Sequence, residues 1–281
     1  MELRIVLIGL LMGITEMFPG ISGGTIALVA GIYDRLLYNI SRLGPSLLHK
    51  LFDLGWASWW KEHDLAFMFT LFGSMASAIL IFANVVEYLL MEEKVAIFSF
   101  FFGLVVFGIF LLLKKIERFS LKVTVLTIIG AIIGQILISL PISNLFGFTP
   151  TSFFLAGMFA TVAWIMPGIS GSLILLILGV YPFVISAITE IDSLLIWLAL
   201  GGVFGLYLFS NLIQMLLRKF SQLTFAFLIG LILGSLSSLW PWQVTTSYLL
   251  TDDGMQFPVV QNPISPLLYH QATGADPDFV L

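Results

Sequence analysis

The pentapeptide Pro-Gly-Ile-Ser-Gly occurs twice, at Pro19–Gly23 and at Pro167–Gly171, each time in the middle of a strongly apolar segment. One fixed offset carries the match outward: Gly31 pairs with Gly179, Ile32 with Val180 and Tyr33 with Tyr181. Proline lacks a backbone N–H and glycine accepts almost any backbone conformation, so each copy interrupts a helix. Residues 3–38 as one helix would reach ~54 Å against a hydrocarbon core of ~30 Å, yet each half alone is only ~20–25 Å. A re-entrant hairpin satisfies both lengths. It runs to mid-membrane, turns at the motif and leaves on the same side. Residues 151–188 repeat the arithmetic. Broken backbone at that depth is tolerated only inside protein or along a polar cavity. Paired breaks in two halves of a chain are a sequence pointer to a transporter's binding site.

The apolar content demands a membrane: 59% of the 281 residues are hydrophobic and 10% charged, with a mean hydropathy of +1.07. The absence of cysteine excludes disulfides and thiolate metal sites, and three scattered histidines give no metal-site pattern. No cofactor and no nucleic-acid partner is expected, and oligomeric state is not legible. The N-terminus enters apolar sequence directly after Arg4 with no small-residue cleavage site, and reads as mature sequence.

Segments of ordinary spanning length cover 65–90, 95–113, 122–140, 193–217 and 222–239. The repeat runs through them. Phe82-Ala-Asn84-Val-Val-Glu87 resembles Phe209-Ser-Asn211-Leu-Ile-Gln214, and Phe98, Phe100 and Gly103 match Phe225, Phe227 and Gly230. The expected fold is an all-α polytopic membrane protein with two inverted-topology repeats. Repeat 1 (1–118) holds hairpin 3–38, an interfacial insertion at 41–64, and helices 65–90 and 95–113. Residues 119–145 carry a linking helix. Repeat 2 (146–240) holds hairpin 151–188 and helices 193–217 and 222–239. Three crossings between the hairpins invert the second repeat. With the N-terminus cytoplasmic, Arg4, Arg35, Arg42, Lys50, Lys61, Lys114, Lys115, Arg118, Lys122, Arg218 and Lys219 fall inside and only Lys94 outside, as the positive-inside rule requires. The insertion sets Leu47, Leu48, Leu51 and Phe52 against His49, Lys50 and Asp53, followed by Trp56, Trp59 and Trp60, and reads as an interfacial helix. The tail 241–281 is polar, has no Lys or Arg, and is expected outside the cytoplasm, loosely ordered or packed over the outer mouth.

Glu16 is the one carboxylate deep in a membrane segment, a functional candidate by default. It reads as a proton-coupling group or as a structural acid bonded to freed backbone. Its counterpart in the second repeat is Trp164. Ser22, Gly23, Gly24 and Thr25 open one half-helix, and Ser170, Gly171 and Ser172 open the other. Helix N-termini favour anions, so these residues are candidate substrate-binding positions for a phosphate. N-capping and close helix packing are the plainer alternative. Arg35 reads equally as a phosphate contact or as an interfacial anchor paired with Asp34. Asn84, Asn211, Gln135 and Gln214 suit hydrogen bonds between helices.

The stretch Gly13-Ile-Thr-Glu-Met-Phe-Pro-Gly-Ile-Ser-Gly-Gly-Thr25, with Gly-Ile-Tyr-Asp-Arg35 and Met166-Pro-Gly-Ile-Ser-Gly-Ser172, resembles the bacterial polyprenyl-phosphate transporters of the PopT type over about residues 1–240. The resemblance implies a non-enzymatic flippase for undecaprenyl phosphate in the cytoplasmic membrane. Its lipid partner would be the spent carrier of cell-envelope synthesis, returned inward for reuse in peptidoglycan and other glycans. Glu16, Ser22, Arg35 and Ser170 are the motif positions that would take site roles. The chain is also similar to the undecaprenyl-diphosphate phosphatases of the BacA type, whose first motif holds a second Glu and a His and whose second holds an Arg. Here those positions are Met12, Thr25 and Gly171. Diphosphate hydrolysis needs proton transfer and charge neutralisation, and those groups are gone. A lipid diphosphate phosphatase and a transporter of a small soluble anion are the competing readings.

Overall fold

Each motif segment breaks twice rather than once. The structure, a computed structural model, describes residues 3–18, 22–42, 56–140, 147–181, 183–184, 187, 192–250 and 256–274. The first segment gives α1 (Leu3–Glu16), α2 (Gly23–Val29) and α3 (Tyr33–Ser41). A short α4 (Trp56–Glu62) leads into α5 (Leu65–Glu92), α6 (Lys94–Leu113) and α7 (Leu121–Ser139). The second segment gives α8 (Pro150–Ile165) and α9 (Gly171–Ile177), followed by the long α10 (Leu194–Ser235). A 3-10 turn, a strand pair β1 (Gln243–Leu250) and β2 (Gln256–Pro263), and α11 (Pro266–Thr273) complete the described chain.

Among the described residues, four helical stretches are long and apolar enough to cross a membrane: Leu65–Val86, Lys94–Leu113, Leu121–Ser139 and Leu194–Leu239. The chain is therefore a multi-pass membrane protein. Apolar side chains such as Phe107, Phe110, Leu121 and Ile132 are exposed on these helices, as expected where lipid is the solvent. The 46-residue stretch Leu194–Leu239 would be ~69 Å as one rod, twice what a bilayer needs. It is broken at Phe220, whose φ of −137° and ψ of 44° are non-helical. Arg218 and Lys219 are exposed beside the break. Two arms result, near the expected helices 193–217 and 222–239.

The return arm of the first segment ends beside its own start: the Arg4 guanidinium donates to the Ala30 carbonyl at 2.8 Å, capping the end of α2. The second breaks of the two segments are alike. Gly31 (φ 75°) and Gly179 (φ 72°) adopt left-handed backbone. In the first, Ile32 N–H donates to Ala27 O and Gly31 N–H to Leu28 O. In the second, Val180 N–H donates to Leu175 O and Gly179 N–H to Leu176 O. This is the Schellman pattern, which needs a glycine at its left-handed position.

Helix packing recurs at the sequence offsets of the repeat. α1 lies on α5 so closely that a Cβ on Gly9 would sit 2.7 Å from the Leu71 carbonyl oxygen. At the corresponding place α8 lies on α10, with Gly157 against the Leu198 carbonyl. One turn on, Gly13 meets the Met75 carbonyl, and its counterpart Thr161 donates its hydroxyl to Gly202 O at 3.0 Å. The second arm of α10 packs on α7 through Gly130, Gly134, Gly230 and Gly234. Helices in lipid gain little from apolar burial against one another, so backbone approach at small residues holds them together. Three of the four polar positions in the spans bond between helices: Ser237 donates to Gln135 Oε1 (3.1 Å), Ser41 to Gln214 Oε1 (3.3 Å), and Asn211 to Ser41 O (3.3 Å), whereas Asn84 is exposed. The buried core, with Met12, Phe18, Leu71, Phe101, Ile165 and Ile169, lies where the two motif segments meet.

The tail differs from its expected looseness. β1 and β2 pair antiparallel, with Val244 opposite Asn262 and Thr245 opposite Gln261, and both strands are rich in valine, threonine and aromatic residue types that favour pleated backbone. Trp240 Nε1 donates to Ile264 O at 2.8 Å and its ring edge packs on Phe102. The membrane part is all-α and this two-stranded ribbon is added to it. The amphipathic stretch expected around Leu47–Asp53 lies outside the described residues, as does the Pro19–Ile21 turn itself. The tryptophans that follow do form a cluster, Trp56 packing on Trp59 and Trp60, and Trp60 stacking on Phe69.

Candidate functional site

Ser22 has extended backbone (φ −112°, ψ 130°) and its hydroxyl accepts the Gly24 N–H at 3.2 Å, which starts α2. The same hydroxyl donates to the Trp164 carbonyl at 3.1 Å. Thr25, one turn on, accepts the Gly168 N–H at 2.8 Å. Tyr33, buried at the start of α3, donates to the Ile165 carbonyl at 3.0 Å. The first motif is thus stitched onto the break of the second. Breaking a helix leaves carbonyls and N–H groups without partners, and the other hairpin supplies them.

Glu16 closes this junction. It ends α1, and its Oε1 accepts the Gly23 N–H at 2.7 Å and the Trp164 indole N–H at 2.7 Å. One carboxylate oxygen therefore links the two halves of its own hairpin and the opposite hairpin. Trp164 is its repeat counterpart, so the two equivalent positions touch each other. Gly24 permits the approach: a Cβ there would lie 2.6 Å from the Trp164 carbonyl oxygen and 2.7 Å from that of Ile165.

The second motif is built differently. Ser170 has extended backbone but makes no side-chain cap, and its hydroxyl pairs with that of Ser172 at 2.8 Å. Gly171 lets α9 press on α8, its would-be Cβ 2.7 Å from the Ala160 carbonyl oxygen. The structure joins Glu16, Ser22, Gly23, Gly24 and Thr25 to residues 164–168, and sets Ser170, Gly171 and Ser172 at the start of the adjoining α9. Sequence reasoning missed Tyr33 and Trp164 as junction partners. The signal for Trp164 was present in the sequence, where the repeat offset pairs it with Glu16.

Arg35 lies elsewhere. Its partner is not the neighbouring Asp34, because consecutive helix residues face different directions. Its guanidinium instead makes a fork to Asp64 at 2.6 and 2.9 Å and lies over the Phe67 ring, 4.1 Å from its centroid. Asp64 itself has left-handed backbone (φ 46°) at the start of α5, a conformation Asp tolerates better than most residues. The pair's side chains are 38% and 33% exposed, so Asp64→Asn is expected to lower stability by no more than ~1 kcal/mol. A thermal melt of the purified variant checks this. Arg35 also lines an open cavity of about 410 Å³ between α3 and the break in α10.

The sequence model of a family described as undecaprenyl phosphate translocase-like matches residues 12–257. A polyprenyl-phosphate transporter of Vibrio cholerae serotype O1 is 38% identical over 277 residues, covering 97% of this chain and 89% of that protein. A polyprenyl-phosphate transporter of Staphylococcus aureus is 33% identical over 255 residues, covering 84% and 85%. No solved structure matches the chain. With motif, junction and both relatives in agreement along most of its length, the chain belongs to the undecaprenyl phosphate translocase-like family.

Proposed function

We propose that this protein carries a polyprenyl phosphate, in bacteria undecaprenyl phosphate, across the cytoplasmic membrane and cuts no bond in it. The observation that carries the reading is the junction of the two motif breaks, clasped by Glu16 and built from hydroxyls and backbone amides. The naming of both relatives as polyprenyl-phosphate transporters agrees with it. Met12, Thr25 and Gly171 stand where the phosphatases hold acid, base and cation, which favours transport over hydrolysis.

Two repeats are supported by the recurring helix contacts, the paired Schellman turns and the touching equivalents Glu16 and Trp164, and their inversion with a cytoplasmic N-terminus by the placement of Lys and Arg along the sequence. In such folds, one repeat rocks against the other around a site at their interface. The phosphate engages Ser22, Gly23, Gly24, Thr25, Ser170, Gly171 and Ser172 when the junction opens, and the isoprenoid tail stays in lipid. Glu16 already holds the Gly23 N–H, so an arriving phosphate exchanges with its carboxylate. A proton taken up by Glu16 ends the repulsion between the two anions and couples the exchange to protons.

The test uses liposomes carrying labelled undecaprenyl phosphate and the purified protein, with a membrane-impermeant phosphatase added outside. Hydrolysis running to completion is the expected result. Hydrolysis stopping at the outer-leaflet half, as in protein-free liposomes, sinks the reading and turns attention to small soluble anions.

A further inference from the structure

The cavity between α3 and α10 is lined by none of the junction residues, and its walls are rich in donors. Arg218, at the break in α10, lines it, is exposed, and makes no ion pair or hydrogen bond among the described residues. Arg35 lines the same space with its guanidinium fixed by Asp64 and Phe67. Two neutral side chains add donors. The Tyr38 oxygen accepts from Arg42 at 2.8 Å, which leaves its O–H to donate, and the Gln214 amide oxygen accepts from Ser41, which leaves its NH2. Ser221 adds a hydroxyl. Apolar Leu37, Leu217 and Phe225 complete the wall. Among the described residues the one acid in the lining is Asp34, exposed in the first turn of α3.

A ligand for such a space has acceptors but no donors to offer, carries negative charge, and has an apolar neighbour. We infer that this cavity is a second phosphate site, distinct from the hairpin junction, where the phosphate monoester of a lipid docks against Arg218 and Arg35 at the membrane surface. The inference rests on the transport reading for its lipid. A free phosphate ion offers the same chemistry, and the apolar wall favours the lipid. Guanidinium pairs bind phosphate through charge-assisted hydrogen bonds. Asp34 opposes an anion and limits how tightly it is held, so that it can leave again. The expected signatures have opposite signs: loss of Arg218 weakens docking and loss of Asp34 strengthens it.

The cysteine-free chain makes the site directly readable. Ser221→Cys places a single thiol on the cavity wall, and its rate of labelling by a maleimide is measured in detergent. Farnesyl phosphate is expected to slow labelling, while farnesol is not. Adding Arg218→Gln is expected to raise the protecting concentration by about tenfold or more, and Asp34→Asn to lower it. If inorganic phosphate protects as well as farnesyl phosphate, the site exists and its source is free phosphate. Labelling unaffected by any phosphate, or protection indifferent to Arg218→Gln, overturns the inference. The liposome assay on the wild type is independent: full translocation with no protection rejects this site alone, and protection without translocation rejects the transport reading alone.

Discussion

Glu16→Ala is expected to destabilise the protein and abolish translocation, whereas Glu16→Gln should fold normally and still fail to translocate with wild-type pH dependence. The difference follows from what Glu16 Oε1 accepts. Alanine leaves the Gly23 N–H and the Trp164 indole N–H without their acceptor. Each such donor left unpaired costs ~1–3 kcal/mol, and both sit in a region with little water to replace the lost partner. Glutamine presents an amide oxygen in the same place, so both donors keep a partner. It cannot take up or release a proton, so a rate that depends on proton exchange becomes flat with pH. Thermal melts in detergent separate the two variants, and the liposome assay across pH reads the coupling. A Glu16→Gln protein with wild-type rate and pH profile would assign Glu16 a purely structural role.

Gly24→Ala should be a strongly damaging single-methyl change in the junction. The new Cβ would lie 2.6 and 2.7 Å from two backbone carbonyl oxygens, of Trp164 and Ile165. Those are the acceptors of Ser22 and Tyr33, so pushing them away also stretches two hydrogen bonds. Overpacking costs ~1–3 kcal/mol, and each weakened bond adds ~1 kcal/mol. A control separates this clash from general intolerance of alanine. Gly103 has nothing within 4 Å of its would-be Cβ, so Gly103→Ala should be neutral or stabilising by up to ~1 kcal/mol. Melting both variants side by side decides the matter: equal losses would mean that the junction is not closely packed in the protein.

Much of this architecture was legible because membrane physics leaves few options. Length forced the breaks at the motifs, and the repeat offset led from Phe82–Glu87 to Phe209–Gln214 and so to two helices where the structure has a broken α10. Gly31 and Gly179 were paired by sequence, but their role as a second break was not legible, since one glycine does not say whether a helix ends or merely thins. Glu16 and Ser22 stood out as polar groups in an apolar run. Their partners did not, because the acceptors at Trp164 and Ile165 are backbone carbonyls, which every residue has. Asp64 as the partner of Arg35 depends on how the end of one hairpin approaches a distant helix start, which local spacing does not encode. Arg218 was seen only as a topology marker. Its place on a cavity wall follows from the backbone break at Phe220.

Among the described residues the junction between the motifs rests on a small set of hydrogen bonds: Ser22 to Trp164 and, more weakly, to Met166, Tyr33 to Ile165, Gly168 to Thr25, and Trp164 to Glu16. Such bonds are short in reach, and a separation of about an ångström defeats any of them. All of them join the first motif segment to residues 164–168 of the second, so separating the two segments breaks them together. A half-open junction keeps few of the bonds and gains little in return. The contact therefore behaves as a snap fastener, and a single molecule watched over time should dwell in closed and open states with abrupt steps between them.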